Sequence, residues 1–347
     1  MTALLEVRDL VVEVATAAGP RRAVDGVSFA LHEGDVLGLV GESGSGKTLS
    51  CRAILRLLPQ RVRIAGGSIV LAGHRVTELP ERRLEEVRGP VGAMIFQNPT
   101  SHLDPVMTIG EQIAAPIRVH EGVPRAAARA RARQLLEQVG IPDAARRLDQ
   151  YPHEFSGGMR QRAMIAAALA CRPKLLIADE PTTALDVTVQ AQILRLLLDL
   201  RDQLGLAILL VTHDLGVVAQ TCDRVAVMYA GRIVEMGSPE VIFKNPQHPY
   251  TLGLIGSLPR LDARLKKLMS IGGLPPDLAK LPPGCAYAPR CSLRRERDEC
   301  VQEIPALREV LDDHYAACHF NEEMEAEQKR ISEEVGFELT EAAAQTD

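Results

Sequence analysis

The run Gly41-Glu42-Ser43-Gly44-Ser45-Gly46-Lys47-Thr48 sets glycines, an amine and a hydroxyl at the spacing G-x-x-x-x-G-K-[ST]. Glycines let a backbone close around phosphate oxygens. The free amides of such a loop, together with a helix N-terminus, supply positive potential. Lys47 is placed to reach the β- and γ-phosphates of a nucleotide, and the Thr48 hydroxyl to ligate Mg²⁺. A second element, Leu175-Leu-Ile-Ala-Asp179-Glu180, puts two adjacent carboxylates at the end of an apolar run. An Asp at that strand end can face the metal, and the Glu beside it can act on an attacking water. The blander readings are a glycine-rich turn and an ordinary loop start. Lys47 and Thr48 in their required places argue against the first, and the upstream phosphate loop argues against the second.

These residues need a scaffold, and the pattern around them predicts one. Residues 36–40, 91–96, 175–178, 207–212 and 225–228 read as strands, several almost wholly apolar, as in a mainly parallel sheet buried on both faces. Residues 47–58, 158–170 and 187–204 read as helices. The alternation predicts an α/β fold. Segments 4–14, 24–31 and 68–71 predict a small antiparallel sheet attached to that core. Between Gln97 and Ser156 the strand signals vanish; the Ala-, Arg- and Leu-rich stretch 125–139 predicts a helical insertion. Its Arg125, Arg129, Arg131 and Arg133 read as a solvated helix face, since alanines separate them and no aromatic interleaves.

After residue 245 prolines cluster, which predicts a separate, small, irregular unit. The boundaries expected are therefore 1–245 with a helical part at about 98–157, then 246–320, then an acidic tail at 321–347. That tail carries nine acidic residues against Lys329 and Arg330 and reads as solvated. The 347 residues, 46% hydrophobic and 24% charged, can bury a large core, which excludes overall disorder. A net charge of −5, no Trp and only 11 Tyr plus Phe argue against a nucleic-acid binder. No apolar run approaches the roughly 20 residues of a membrane helix, and the N-terminus does not read as a signal peptide. A cytosolic chain is expected, with its seven cysteines as thiols or metal ligands. Cys51, Cys171 and Cys222 read as small core residues.

With these residues in hand, the chain resembles the nucleotide-binding subunit of an ATP-binding-cassette (ABC) transporter. Phe155-Ser156-Gly157-Gly158-Met159 resembles the family's LSGGQ signature, Gln97 its Q-loop, Ala184-Leu185-Asp186 its D-loop and His213 its switch histidine. The likeness covers about residues 4–245. It implies an ABC-type P-loop ATPase with an antiparallel β subdomain and a helical insertion. Residues 41–48 would bind ATP, with Thr48, Asp179 and Gln97 at Mg²⁺. Glu180 would be the general base, and Lys47, His213 and Gln97 would serve catalysis. Ser156, Gly157 and Gly158 would close over ATP on an opposing subunit. One departure is plain: the family usually stacks adenine on an aromatic near position 14, where this chain has Val14 and no aromatic before Phe29.

Three further stretches resemble the dipeptide/oligopeptide importer branch, which also includes nickel and glutathione systems: Leu103–Gln112, Pro181–Gln192 and Asn245-Pro-Gln-His-Pro-Tyr-Thr251 with Ser257-Leu-Pro259. That resemblance implies two membrane permeases, a second cassette subunit as heterodimer partner with a homodimer as the alternative, an extracytoplasmic binding protein and a place on the cytoplasmic face of the membrane. Cys285, Cys291, Cys300 and Cys318 follow C-x5-C-x8-C-x17-C, without the paired knuckles of a zinc ribbon. The spacing resembles the branch's C-terminal extension, where four cysteines can bind a [4Fe–4S] cluster; free thiols or zinc are the alternatives. The rival class is a soluble ABC ATPase of DNA repair or translation. Those usually carry two cassettes or long insertions, and neither is present.

Overall fold

The computed structural model describes residues 3–183, 185–257, 271–278 and 280–335. Strands β1 (Leu5–Thr16) and β2 (Gly19–Leu31) form a hairpin, and β3 (Val36–Val40) leads through the glycine loop into α1 (Lys47–Ile54). Next come β4 (Val62–Leu71), β5 (His74–Arg75) and β6 (Gly92–Ile95). A helical stretch follows, with α2 (Pro99–His102), α3 (Ile109–Glu121), α4 (Arg125–Gln138), α5 (Ala144–Arg147) and α6 (Gly157–Ala168). The chain returns to alternation through β7 (Leu175–Asp179), α7 (Val187–Leu204), β8 (Ala207–Thr212), α8 (Leu215–Thr221), β9 (Arg224–Tyr229) and β10 (Arg232–Gly237). It ends with α9 (Pro239–Lys244), α10 (Pro249–Gly256), α11 (Glu299–Gln302), β11 (Arg308–Leu311), β12 (His314–Ala316) and α12 (Met324–Val335).

The large sheet has the order β11-β12-β10-β9-β3-β8-β7-β6. Strands β6, β7, β8, β3 and β9 run parallel. Every residue of β3, β7 and β8 is buried, as apolar runs covered on both faces require. Val36, Val40, Leu176 and Ala178 enter the core beneath the helical layer. Leu37, Leu39, Leu175 and Ile177 enter the core shared with β1, β2 and β4. The strands being parallel, the loops after β3 and β7 emerge at the same edge, where ligands bind in such sheets.

The expected antiparallel sheet is present in the order β2-β1-β4-β5, with β2 and β4 longer than the pattern suggested. Between Gln97 and Ser156 no strand occurs among the described residues. The four arginines of α4 pair with carboxylates: Arg125 with Glu111, Arg129 with Asp149, Arg131 with Glu121 and Arg133 with Glu137. They form a solvated, ion-paired face. The helix expected over 47–58 stops at Ile54, because Arg56 adopts φ 51° and turns the chain toward Pro59. Cys51 and Cys222 are core residues, whereas Cys171 is only half-buried.

Beyond residue 245 the chain rejoins the cassette. Strand β12 pairs with β10 in antiparallel register, Glu235 opposite Ala316, and β11 extends the edge. Ala184, Pro259 and residues 336–347 of the acidic tail lie outside the described residues. Among the described residues no helix is long and apolar enough to cross a membrane.

Candidate nucleotide site

The glycine loop joins the end of β3 to α1 at the sheet's carboxyl edge. Gly41 (φ 148°) lies so close to the β9 backbone that a Cβ would meet the Met228 carbonyl oxygen at 2.2 Å. Gly46 caps α1 at φ 103°, where a Cβ would lie 2.6 Å from the Ala23 carbonyl. Only glycine fits these two positions. Ser43 and Gly44 are exposed, so the loop opens to solvent.

Lys47 is buried beneath this loop. Its Nζ donates to the carbonyls of Gly41 (2.7 Å) and Glu42 (2.9 Å) and to Ser45 Oγ (3.3 Å). Burial lowers its pKa, opposed by the charges of Glu180 and Asp179. Thr48 Oγ1 donates to Asp179 Oδ1 at 3.0 Å across the loop–strand gap. Asp179 is buried, and desolvation raises its pKa against that hydrogen bond. A hydroxyl and a buried carboxylate side by side are the oxygen donors a hard divalent cation takes, so the residues fit Mg²⁺.

Glu180 gathers three groups from three loops. Gln97 Nε2 donates to its Oε2 at 2.6 Å, Thr183 Oγ1 donates to the same oxygen at 2.9 Å, and His213 Nδ1 lies 3.5 Å from Oε1. Glu180 sits at φ 48°, with its amide donating to the Val211 carbonyl at 2.9 Å. That left-handed turn aims the carboxylate out of the strand end. Gln97 and His213 are exposed. The structure thus brings Lys47, Thr48, Gln97, Asp179, Glu180 and His213 together. It does not bring Ser156, Gly157 and Gly158 to them: Ser156 caps α6, accepting from Met159 N at 3.3 Å, and both Ser156 and Gly157 face solvent. In the D-loop stretch, Ala184 lies outside the described residues, and Asp186 caps α7 through Val189 N.

Sequence reasoning missed three contributors. Thr183 sits three residues past Glu180 and carried no separate signal. Tyr250 belongs to the stretch Asn245–Thr251, which was singled out without a role; its hydroxyl accepts from Glu42 N at 2.7 Å. Arg290 forks onto the Glu42 carboxylate at 2.7 and 3.0 Å, 248 residues away.

The cysteine group is a second candidate site. The four sulfurs share one neighbourhood: Cys291, Cys285 and Cys300 each act electrostatically on Cys318. Burial raises all four thiols, Cys291 and Cys318 to about 12. Amides of Tyr287 and Ala288 donate toward Cys285, those of Leu293 and Arg294 toward Cys291, and that of Phe320 toward Cys318. None of the seven cysteines is in a disulfide. Among the described residues no three His, Cys, Asp or Glu are set to hold a single metal ion.

Comparison with known proteins identifies the family. Residues 24–183 match the family described as ABC transporter, and residues 234–300 match that described as oligopeptide/dipeptide transporter, C-terminal region. The chain is 51% identical over 317 residues to a probable peptide ABC transporter ATP-binding protein, y4tR, of Sinorhizobium fredii, covering 91% of this chain and 94% of that one. It is 51% identical over 288 residues to the oligopeptide transport ATP-binding protein OppD of Salmonella typhimurium, covering 83% and 86%. Among solved structures it resembles the ATP-binding cassette MJ0796 in a dimeric post-hydrolysis state bound to ADP and Pi. That match has TM-score 0.61 and 25% identity, over 68% of this chain and 98% of that one. It also resembles cbiO1 of Clostridium perfringens, part of the complex cbiONQ, with TM-score 0.60 and 27% identity over 70% and 91%.

Proposed function

The chain belongs to the ABC transporter family as an ATPase cassette, and from that premise we propose that it powers a membrane importer of dipeptides or oligopeptides. The observation that carries the cargo class is the match of residues 234–300 to the oligopeptide/dipeptide transporter region, together with 51% identity to relatives named for peptides.

The chain's own residues divide the chemistry. Gly41 to Thr48 cradle the ATP phosphates, and Lys47 neutralises charge on the β- and γ-phosphates. Thr48 and Asp179 would hold Mg²⁺, joined by Gln97 from its place on Glu180, and the ion would offset phosphate charge. Glu180 takes the proton of the attacking water; Gln97, Thr183 and His213 fix the position of its carboxylate. Ser156, Gly157 and Gly158 reach the nucleotide of an opposing cassette, a reading supported by the exposure of Ser156 and Gly157. The partner cassette is a related second subunit. Val106 and Met107, exposed on the segment braced by Gln112, are offered to the permeases on the cytoplasmic face of the membrane. An extracytoplasmic binding protein delivers the cargo. Cys285, Cys291, Cys300 and Cys318 would hold a [4Fe–4S] cluster through their thiolates. Their shared neighbourhood, and the amides that turn toward three of the sulfurs, support this.

The test is Glu180→Gln in the assembled transporter. It should bind ATP with parental affinity and lose at least about 100-fold in turnover, the scale of a lost general base; parental turnover would refute the assignment. Purification of the chain from gently solubilised membranes should bring two permeases and a second cassette subunit. Recovery with nucleic acid or ribosomes and no permease would overturn the transporter reading.

A further inference from the structure

Glu42, the second residue of the phosphate loop, is held at three points. Its amide donates to Tyr250 Oη at 2.7 Å. Its carboxylate takes a two-pronged contact from Arg290 at 2.7 and 3.0 Å. Its carbonyl accepts from Lys47 Nζ at 2.9 Å. Two of these holds come from beyond residue 245.

Both outside partners are themselves fixed. The Arg290 side chain is only 6% exposed. Its Nε donates to the Gly272 carbonyl at 2.8 Å and its Nη1 to Tyr229 Oη at 3.4 Å. Tyr250 is fully buried and packs on Tyr229 and Tyr287, with ring centroids 4.6 and 5.4 Å away. A planar guanidinium engaged on both edges has one orientation, so it transmits position as well as charge.

We propose that Arg290 and Tyr250 are positioning residues of the nucleotide site: by holding Glu42 they set the place of Lys47, so the C-terminal region shapes the ATP site of its own chain. The linkage is short. Arg290 fixes the Glu42 side chain, Tyr250 ties the Glu42 amide on the protein side of the loop, and the Glu42 carbonyl holds the ammonium that meets the phosphates. If either outside hold is lost, residue 42 can turn and Lys47 loses one of its three acceptors. The inference rests on the reading of residues 41–48 as the ATP site.

The experiment is equilibrium ATP binding to the full chain in a Glu180→Gln background, which prevents turnover. Arg290→Met should weaken ATP about tenfold, and Tyr250→Phe, which removes one hydroxyl, about threefold. Combining Glu42→Gln with Arg290→Met should weaken binding no further than the weaker single variant, because the two changes cut one linkage. Thermal melting of each variant shows whether it is folded. Tyr250→Phe keeps the test intact if Arg290→Met is not. ATP affinity within twofold of the parent in every folded variant overturns the proposal and leaves the contacts as a staple. Lys47→Ala is the control: if it too binds as the parent does, the nucleotide-site reading itself has failed.

Discussion

Cys291 and Cys318, with thiols pushed to about 12, are fully protonated and poorly nucleophilic as free groups at neutral pH. Iron would replace those protons, with the amides of Leu293, Arg294 and Phe320 already turned toward the sulfurs. Protein purified without oxygen should therefore be brown and carry about four iron atoms per chain. Cys291→Ser should lose the colour and most of the iron, and unchanged iron content would sink the cluster. At this scale the nucleotide site was legible where its chemistry is local. Lys47, Thr48, Asp179 and Glu180 fall in two short runs whose spacing is their signature. What was not legible is reached through space. Arg290 lies 248 residues from Glu42 and Tyr250 lies 208, and no spacing in one sequence encodes such pairs. The adenine-stacking ring is missing from the hairpin too: β1 carries no aromatic, and Phe29 of β2 is buried. Tyr229, Tyr250 and Tyr287 are packed on one another beneath the phosphate loop.

Helix α10 begins with a cap that only one protonation state can supply. His248 Nδ1 accepts from Tyr250 N at 3.1 Å, so that nitrogen must be unprotonated. Burial agrees, lowering the ring's pKa from 6.5 to about 3. The unfolded chain binds a proton below 6.5 that the folded one refuses, so this residue's share of stability is lost as pH falls from 6.5 toward 3. The slope approaches about 1.4 kcal/mol per pH unit once the unfolded imidazole is charged. Raised carboxyls act the other way: Asp179 and Glu235 take up protons in the fold first, and stability from them grows as pH falls. The comparison with His248→Asn, which keeps a capping acceptor and removes the titration, isolates the imidazole. Between pH 7 and 5 the parent's melting temperature should fall more steeply than the variant's; equal slopes would refute the account. Elements buried on both faces, such as β3, β7 and β8, were readable from their apolar runs. Strands β10, β11 and β12 were not. They lie toward an edge, two of them are four residues or shorter, and their pattern mixes charged and apolar positions.

The cassette and the region beyond residue 245 meet at Glu235. Its side chain is fully buried on β10 and accepts from Gln247 N (2.6 Å), His248 N (3.1 Å) and His314 Nε2 of β12 (2.8 Å). One carboxylate thus closes the start of α10, the β10–β12 edge and, through α10, the Tyr250 contact with the phosphate loop. Proline clustering predicted loops after residue 245, but the buried acceptor that ties them to the sheet sits on the other side of that boundary. Glu235→Ala leaves two amides and an imidazole unpartnered in a dry joint, and a buried polar group left unsatisfied costs about 1–3 kcal/mol. The chain reports this joint itself: it has no Trp, and of its five tyrosines Tyr250 lies on α10 with Tyr229 and Tyr287 packed against it. Tyrosine fluorescence therefore follows the joint, while far-ultraviolet circular dichroism follows the helices and sheets of the whole chain. In the parent the two signals should unfold together in denaturant, because the joint makes one cooperative unit. In Glu235→Ala the fluorescence transition should move to lower denaturant and precede the dichroism transition, and the ATP affinity set by Tyr250 and Arg290 should fall with it. Coincident transitions shifted by less than about 1 kcal/mol would mean that Glu235 is not the joint, and that the strand pairing of β10 with β12 holds the two regions together without it.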